Sequence, residues 1–293
     1  VDGASMSDTG DYVLITPARN EAGHLPRTIA AVAAQLRLPR EWVIVDDGST
    51  DATARIAEEA ALRHPFVRCL RVEREGGRCF GQKARAFAAG RAHLRSDTYA
   101  FIGNLDADIE LPPDYYARVL ERMARDPRIG LAGGCVQTRV GETFHCSDRS
   151  PDTVAGAVQL FRRACFEEIG GYPALPFGGI DAAAELSAKQ HGWRVEKLLD
   201  LTVSEHRRTG GAEAHPLRAK FNEGRRFHSL GYGTGWFLLR CLYRAGDPPL
   251  LAGSAAAAAG YLESVVRGRP VVLPPATVAY WRSEHRRRIR NAT

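Results

Sequence analysis

The chain is poor in the features that place a protein quickly. Its six cysteines (Cys69, Cys79, Cys135, Cys146, Cys165, Cys241) form no Cys-x-x-Cys pair and have no zinc-type histidine spacing. That excludes a zinc module and speaks against a disulfide scaffold; six free thiols fit a reducing cytoplasm. Long apolar runs are missing too. The longest weakly polar stretch, Leu250 to Leu262, is Ala-rich, broken by Gly and Ser and closed by Glu263, too short and polar to span a membrane. No signal peptide is visible, and residues 1–10, with Val1 to Ser5 ahead of Met6, read as a tag remnant or disordered N-terminus. The first apolar run is not followed by Gly-x-Gly-x-x-Gly, and Gly-x-x-x-x-Gly-Lys-Ser/Thr does not occur. A dinucleotide-binding dehydrogenase and a P-loop enzyme are therefore disfavoured.

At 293 residues, with 44% hydrophobic and 25% charged, the chain suits one large soluble domain, or one domain with an appendage. The net charge of +6 is unevenly spread: residues 207–293 hold 15 Lys/Arg against 5 Asp/Glu, leaving the preceding 206 residues at −4. An acidic body with a basic tail predicts an anionic partner at the tail. Nucleic acid is the weakest candidate, because the tail has no nucleic-acid-binding motif. A membrane surface suits basic stretches with apolar faces, such as His215 to Tyr232 and Trp236 to Tyr243. Packing on the body or pairing in a homodimer would use the same faces.

Apolar runs at Tyr12–Thr16, Trp42–Val45, Phe66–Val72 and Thr98–Ile102 read as strands. Between them, Leu25–Leu36, Ala52–Arg63 and Gly81–Leu94 read as helices. The alternation predicts a parallel sheet with helices on its faces. Ligands bind such sheets at the carboxyl ends of strands. Polar clusters stand there in three cases: Pro17 to Glu21, Asp46 to Asp51, and Asp106 with Asp108. Two carboxylates one residue apart at the end of a buried strand repel each other and lose hydration. A hard divalent cation that also holds a diphosphate would relieve both costs. Downstream, Ile129–Val140, Val158–Phe161 and Leu198–Val203 read as strands, Arg163–Ile169 and Ala182–His191 as helices.

Four motifs, in order and spacing, carry a family resemblance: Pro17-Ala-Arg-Asn20-Glu21, Val45-Asp46-Asp47-Gly48-Ser49-Thr50-Asp51, Gly81-Gln-Lys83 and Asp106-Ala-Asp108. They resemble family 2 glycosyltransferases of the GT-A fold, over about residues 11 to 206. The resemblance implies an α/β fold with a mixed, mostly parallel, Rossmann-like sheet flanked by helices. It divides the chain into a nucleotide-binding half (11–110), an acceptor half (111–206) and a basic helical C-terminal region (207–293). It also implies an inverting transferase that uses Mn²⁺ or Mg²⁺ and a nucleotide diphosphate sugar of UDP, dTDP or GDP type, working in the cytoplasm or on the inner face of the plasma membrane. By similarity, Pro17, Arg19 and Glu21 line the nucleotide pocket, with Asp46 beside them, and Asp47 accepts a hydrogen bond from the base. Lys83 lies by the ribose or diphosphate, Asp106 touches ribose or sugar, and Asp108 holds the metal, with His206 a further contact to metal or diphosphate. Arg207 and Arg208 are candidate phosphate partners.

Gly170-Gly171-Tyr172-Pro173 resembles the family's Gly-Gly-Phe/Tyr turn. The family's Glu-Asp at the next helix start is Ile180-Asp181 here, so Asp181 takes the position of the general base and the Glu is absent. Glu185, four residues on, shares the helix face and competes for that role. The acceptor is unknown. No Gln-x-x-Arg-Trp occurs, which argues against a processive synthase. A nucleotidyltransferase would show a Gly-rich basic loop after the first strand. An aspartyl phosphatase would want Thr or Val where Glu110 stands. A sugar-nucleotide-binding or membrane-docking module without catalysis is the non-enzymatic alternative.

Overall fold

The computed structural model describes residues 11–73, 81–140, 143–146, 148–175, 177–206, 215–246 and 249–292. Expectations for residues 1–10, Cys79, Arg207 and Arg208 lie outside these. The first half runs β1 (Tyr12–Ala18), α1 (Leu25–Ala33), β2 (Glu41–Asp47), α2 (Thr53–Arg63), β3 (Val67–Val72), α3 (Gly81–Ala92) and β4 (Phe101–Asn104). Its four strands are parallel, in the order β3-β2-β1-β4. Every residue of β2 is buried, as expected of a parallel strand covered on both faces. Trp42, fully buried, donates its indole N–H to Thr16 Oγ1 (2.9 Å), so the largest apolar side chain leaves no polar atom unmet. The chain steps outward from β1 to β3, then returns to the other side of β1. That reversal, between β1 and β4, is where an open α/β sheet leaves a crevice at its carboxyl edge.

The second half adds β5 (Ile109–Glu110), α4 (Tyr115–Arg125), β6 (Ile129–Val140), β7 (Thr143–Cys146), a 3₁₀ turn (Gly156–Val158), β8 (Leu160–Arg162), α5 (Arg163–Glu168), α6 (Ile180–Gln190) and β9 (Arg194–Glu205). β8 pairs antiparallel with β4 and β6, β9 runs parallel to β6, and β5 pairs antiparallel with β9. The sheet is thus parallel in its first half and mixed in its second. Four helices follow: α7 (Pro216–Ser229), α8 (Thr234–Tyr243), α9 (Leu250–Val266) and α10 (Pro275–Ala292). They share a second core with the body, in which Ile180, Ala183 and Leu186 of α6 meet Leu230 and Leu273. Among the described residues no helix is long and apolar enough to cross a membrane.

Several sequence expectations need correction. α1 stops three residues short of Leu36, which is 76% exposed. Gln35 ends it by turning inward, bonding Pro112 O (2.8 Å) and accepting from Tyr116 N–H (3.1 Å). β4 begins at Phe101, because its pairing to β1 aligns Tyr12 with Phe101. Val158 belongs to the 3₁₀ turn and the strand follows it. Six free thiols do not hold either: Cys135 and Cys146 form a disulfide, with Cα atoms 6.5 Å apart. The β6–β7 hairpin aligns Gln137 with Cys146 and so brings Cys135 within reach, a pairing that linear spacing could not reveal. Cys69, Cys165 and Cys241 are free.

Candidate active site

The carboxyl ends of β1, β2 and β4 lie on one edge, with Ala18 aligned to Asp46 and Ile15 to Asn104. The loops after β1 and β2 are stitched together. Asn20, at φ 54°, receives Thr50 N–H on Oδ1 (2.8 Å) and donates its own N–H to Ser49 Oγ (3.0 Å). Asp51 takes Ala22 N–H (3.1 Å) on one oxygen and Thr53 N–H (2.9 Å), at the first residue of α2, on the other. The two motifs are therefore one wall. Asp46 and Asp47 are buried in it, and Pro17 and Arg19 are half-buried beside them. Burial, with the neighbouring Asp46 adding to it, raises the Asp47 carboxyl above the usual range against the pull of the Arg19 guanidinium. Arg19 Nε is buried without a hydrogen-bond partner, a donor left over in the wall.

Opposite stands the Asp106-Ala107-Asp108 turn, pinned at each residue. Asp106 N–H donates to Ala157 O (3.0 Å), Thr28 Oγ1 donates to Ala107 O (2.8 Å), and His206 N–H donates to Asp108 O (3.1 Å). Asn104 Nδ2 bonds both Asp106 Oδ1 (2.9 Å) and Gly156 O (2.5 Å), which fixes the carboxylate itself. Lys83, in the first turn of α3, reaches Asp106 Oδ1 at 2.5 Å. Burial works against the Lys83 charge, but Asp106, then Asp181 and Asp108, raise its ammonium above the ordinary lysine value. Asp181 comes from the far half of the chain, so the field around Lys83 joins both halves.

Asp108 is the least satisfied of these acids. Burial, then the charges of Asp106, Glu21 and Glu205, push its carboxyl up to about 7. Such an excess of negative charge fits a divalent cation. Among the described residues no three His, Cys, Asp or Glu side chains are grouped to hold one. One or two carboxylates suffice, however, for a hard cation that shares its shell with phosphates. The His206 ring hydrogen-bonds Glu110 Oε2 (2.7 Å).

Asp181 sits in the first turn of α6, whose N-cap Gly179 has φ 86° and faces Arg226 and Leu230 closely enough to crowd a Cβ. Gly156 lies against it, and a Cβ there would meet Asp181 Oδ2 at 2.8 Å. Tyr172, within the fields of Asp181 and Asp106, donates to Gln159 Oε1 (2.7 Å). Glu185 is buried and engaged on both oxygens, by Val154 N–H (3.0 Å) and Lys189 Nζ (2.8 Å). A cleft of about 290 Å³ opens between Asp181 and the C-terminal helices. Asn104, Gly156 and Glu205 are the members of the site that motif reading did not single out. Only Glu205, next to His206, carried a signal in the sequence.

A mixed sheet with a crevice at its reversal point, bordered by a pinned acidic turn, is the arrangement of the GT-A fold. The solved fold agrees: the mannosyltransferase PcManGT from Pyrobaculum calidifontis, in complex with GDP-Man and Mn²⁺, superposes with a TM-score of 0.56 at 20% identity, over 97% of this chain and 86% of that one. Residues 13–168 match the model of glycosyl transferase family 2, and the chain belongs to that family. It is 32% identical over 170 residues to the O-antigen biosynthesis protein RfbC of Myxococcus xanthus, covering 54% of this chain and 13% of that protein. Over 112 residues it is 38% identical to the undecaprenyl-phosphate 4-deoxy-4-formamido-L-arabinose transferase of Pseudomonas fluorescens, covering 36% of this chain and 30% of the other. The chain thus spans less than a third of the length of either relative.

Proposed function

We propose that the protein is an inverting, metal-dependent glycosyltransferase, moving a sugar from a nucleotide diphosphate to an acceptor hydroxyl. The observation that carries this is the Asp106–Asp108 turn, over-charged and backbone-pinned, with Lys83 paired to Asp106 at 2.5 Å and Asp181 acting on the same ammonium. Pro17, Arg19, Glu21 and Asp46 line the nucleotide pocket, Asp47 accepts from the base, and Arg19 Nε supplies a spare donor. Lys83 and Asp106 hold the diphosphate and the ribose or sugar. Asp108 is the protein ligand of Mn²⁺ or Mg²⁺, and His206, whose backbone N–H donates to the Asp108 carbonyl, is the further contact to metal or diphosphate. The cation, when bound, neutralises charge on the departing diphosphate.

Asp181 is the base. It takes the proton of the acceptor hydroxyl as that oxygen bonds to the anomeric carbon. The bond from that carbon to the diphosphate oxygen breaks, and its electron pair leaves with the nucleotide. One displacement inverts the centre. Glu185 positions α6 and the loop at Val154 rather than moving the proton, because both of its oxygens are engaged.

A thermal-shift screen of UDP, dTDP and GDP, with and without Mn²⁺, tests the donor half, since a ligand of the folded state raises Tm by mass action. A metal-dependent rise with one of them is expected; none with any would sink the reading. Membrane contact is assigned to the end of α8 and start of α9, where Leu242, Tyr243, Leu250 and Leu251 are exposed next to Arg240 and Arg244. Co-sedimentation with anionic liposomes that persists after Leu242 and Tyr243 are both changed to Ser would remove that assignment.

A further inference from the structure

The cleft beside Asp181 has walls of two origins. One is carboxylate: Asp181 and Glu185 from α6, and Asp148, with Thr153 beside it, from the segment before the 3₁₀ turn. The other is aromatic: Tyr232, from the turn between α7 and α8, and Trp281 from α10. These rings meet edge to face, with centroids 5.5 Å apart. Their positions are fixed from behind. Tyr261 hydroxyl donates to Tyr232 O (2.5 Å), Phe227 packs on the Tyr232 ring at 4.6 Å, and Arg282 Nε donates to Gly231 O (2.9 Å), tying α10 to the turn.

Charge narrows what this space accepts. Asp148 is largely exposed; against partial desolvation its carboxyl is held below the usual range by hydrogen bonds from Thr153 and Ser150 and by the Lys197 ammonium. Lys197 approaches Asp148 Oδ2 at 3.0 Å and Lys189 approaches Glu185 Oε1 at 2.8 Å, so two of the three acids are paired, and Asp181 is the one with no ion pair among the described residues. A phosphate placed against Asp181 meets repulsion at short range. Hydroxyl groups instead find acceptors there, and the C–H face of a sugar ring finds an apolar aromatic surface opposite. The volume, about 290 Å³, lies just under the roughly 300–1,000 Å³ of drug-sized pockets, which suits about one ring.

We infer that this cleft is the acceptor subsite, that Trp281 and Tyr232 form its stacking wall, and that it takes an uncharged sugar ring rather than a phosphate-bearing acceptor group. The inference rests on the assignment of Asp181 as base. It gives the C-terminal helices a substrate-binding duty in addition to packing. The ring enters between the aromatic pair and the carboxylates, with the hydroxyl to be glycosylated toward Asp181. That hydroxyl loses its proton to Asp181 in the displacement already described.

Saturation-transfer NMR on the full chain, in the presence of Mn²⁺ and the nucleotide diphosphate that gives the largest thermal shift, tests it. The probes are uncharged methyl pyranosides in both anomeric forms, and farnesyl phosphate. At least one pyranoside is expected to bind, roughly tenfold more weakly in Trp281→Ala, with affinity restored in Trp281→Phe. The thermal shift by nucleotide diphosphate should be the same in all three proteins, which shows the variants folded and the donor side intact. The inference is overturned if no pyranoside binds, if pyranoside binding ignores Trp281, or if farnesyl phosphate displaces the pyranoside. Absence of any nucleotide shift would count against the donor reading instead, and the pyranosides, then tested without nucleotide, still report on the cleft.

Discussion

The donor edge and the acceptor cleft are built in opposite ways. At the donor edge, short motifs are held by hydrogen bonds to their backbone: Asp106 to Asp108 by Ala157, Thr28 and His206, and the loops after β1 and β2 by Thr50 N–H on Asn20 and Ala22 N–H on Asp51. The cleft gathers Asp148, Asp181 and Trp281, which are 133 residues apart from first to last. The first arrangement suits a reaction part that must not move, since misplaced charge is costly where water is excluded. The second lets the acceptor surface change by repacking helices while the donor turn stays fixed.

Breaking the donor edge should have the largest effect. Asp108→Ala should abolish Mn²⁺-dependent binding of nucleotide diphosphate in isothermal titration; undiminished affinity would remove Asp108 as the metal ligand. Next, Asp181→Asn should lower kcat by about 10²–10⁴ while sparing donor binding. Glu185→Gln is its counterpart, losing about 1–3 kcal/mol of stability because Val154 N–H or Lys189 is left poorly paired. If Glu185→Gln stops transfer at unchanged Tm, the two roles are reversed.

A smaller loss is expected from Asp51→Ala, which removes the acceptor for Thr53 N–H at the start of α2 and one stitch between the donor loops. About 1 kcal/mol should go, with a weaker nucleotide shift. Unaltered nucleotide affinity would separate the stitch from the site. The smallest effect belongs to the C-terminal helices. Hydrogen bonds from Arg269, then from Arg225, hold the Glu263 carboxyl down to about 2. Its folded value lies below the ordinary one, so its contribution is present above the ordinary carboxylate pKa and is lost as pH falls toward 2. Tryptophan fluorescence should show a loosening of α7 and α9 in that window, absent in Glu263→Gln. A step that persists in the variant belongs to another acid.

Local chemistry made the donor half legible. A strand that ends in Asp-Asp-Gly-Ser-Thr-Asp can be recognised from adjacent residues, since the apolar run sets the strand and the polar end sets the loop. The same local logic placed β6 at the boundaries it has, Ile129–Val140. It failed at β4, where pairing with β1 rather than propensity set the start, and at Asn104, which an apolar strand hides. Glu185 shows the same limit: spacing put it on the face of Asp181, and burial then engaged both of its oxygens.

By itself, then, the sequence determined the alternating strands and helices, the edge at which the polar loops gather, and the acids that stand there. These follow from hydrophobic period and short-range spacing, which act within one element and its loop. Only the tertiary structure decided that Cys135 meets Cys146, that Asp181 enters the field of Lys83, and that Trp281 closes the cleft beside it. Those contacts depend on which strands pair and which helices pack, free energies summed over the whole chain and carried by no single segment.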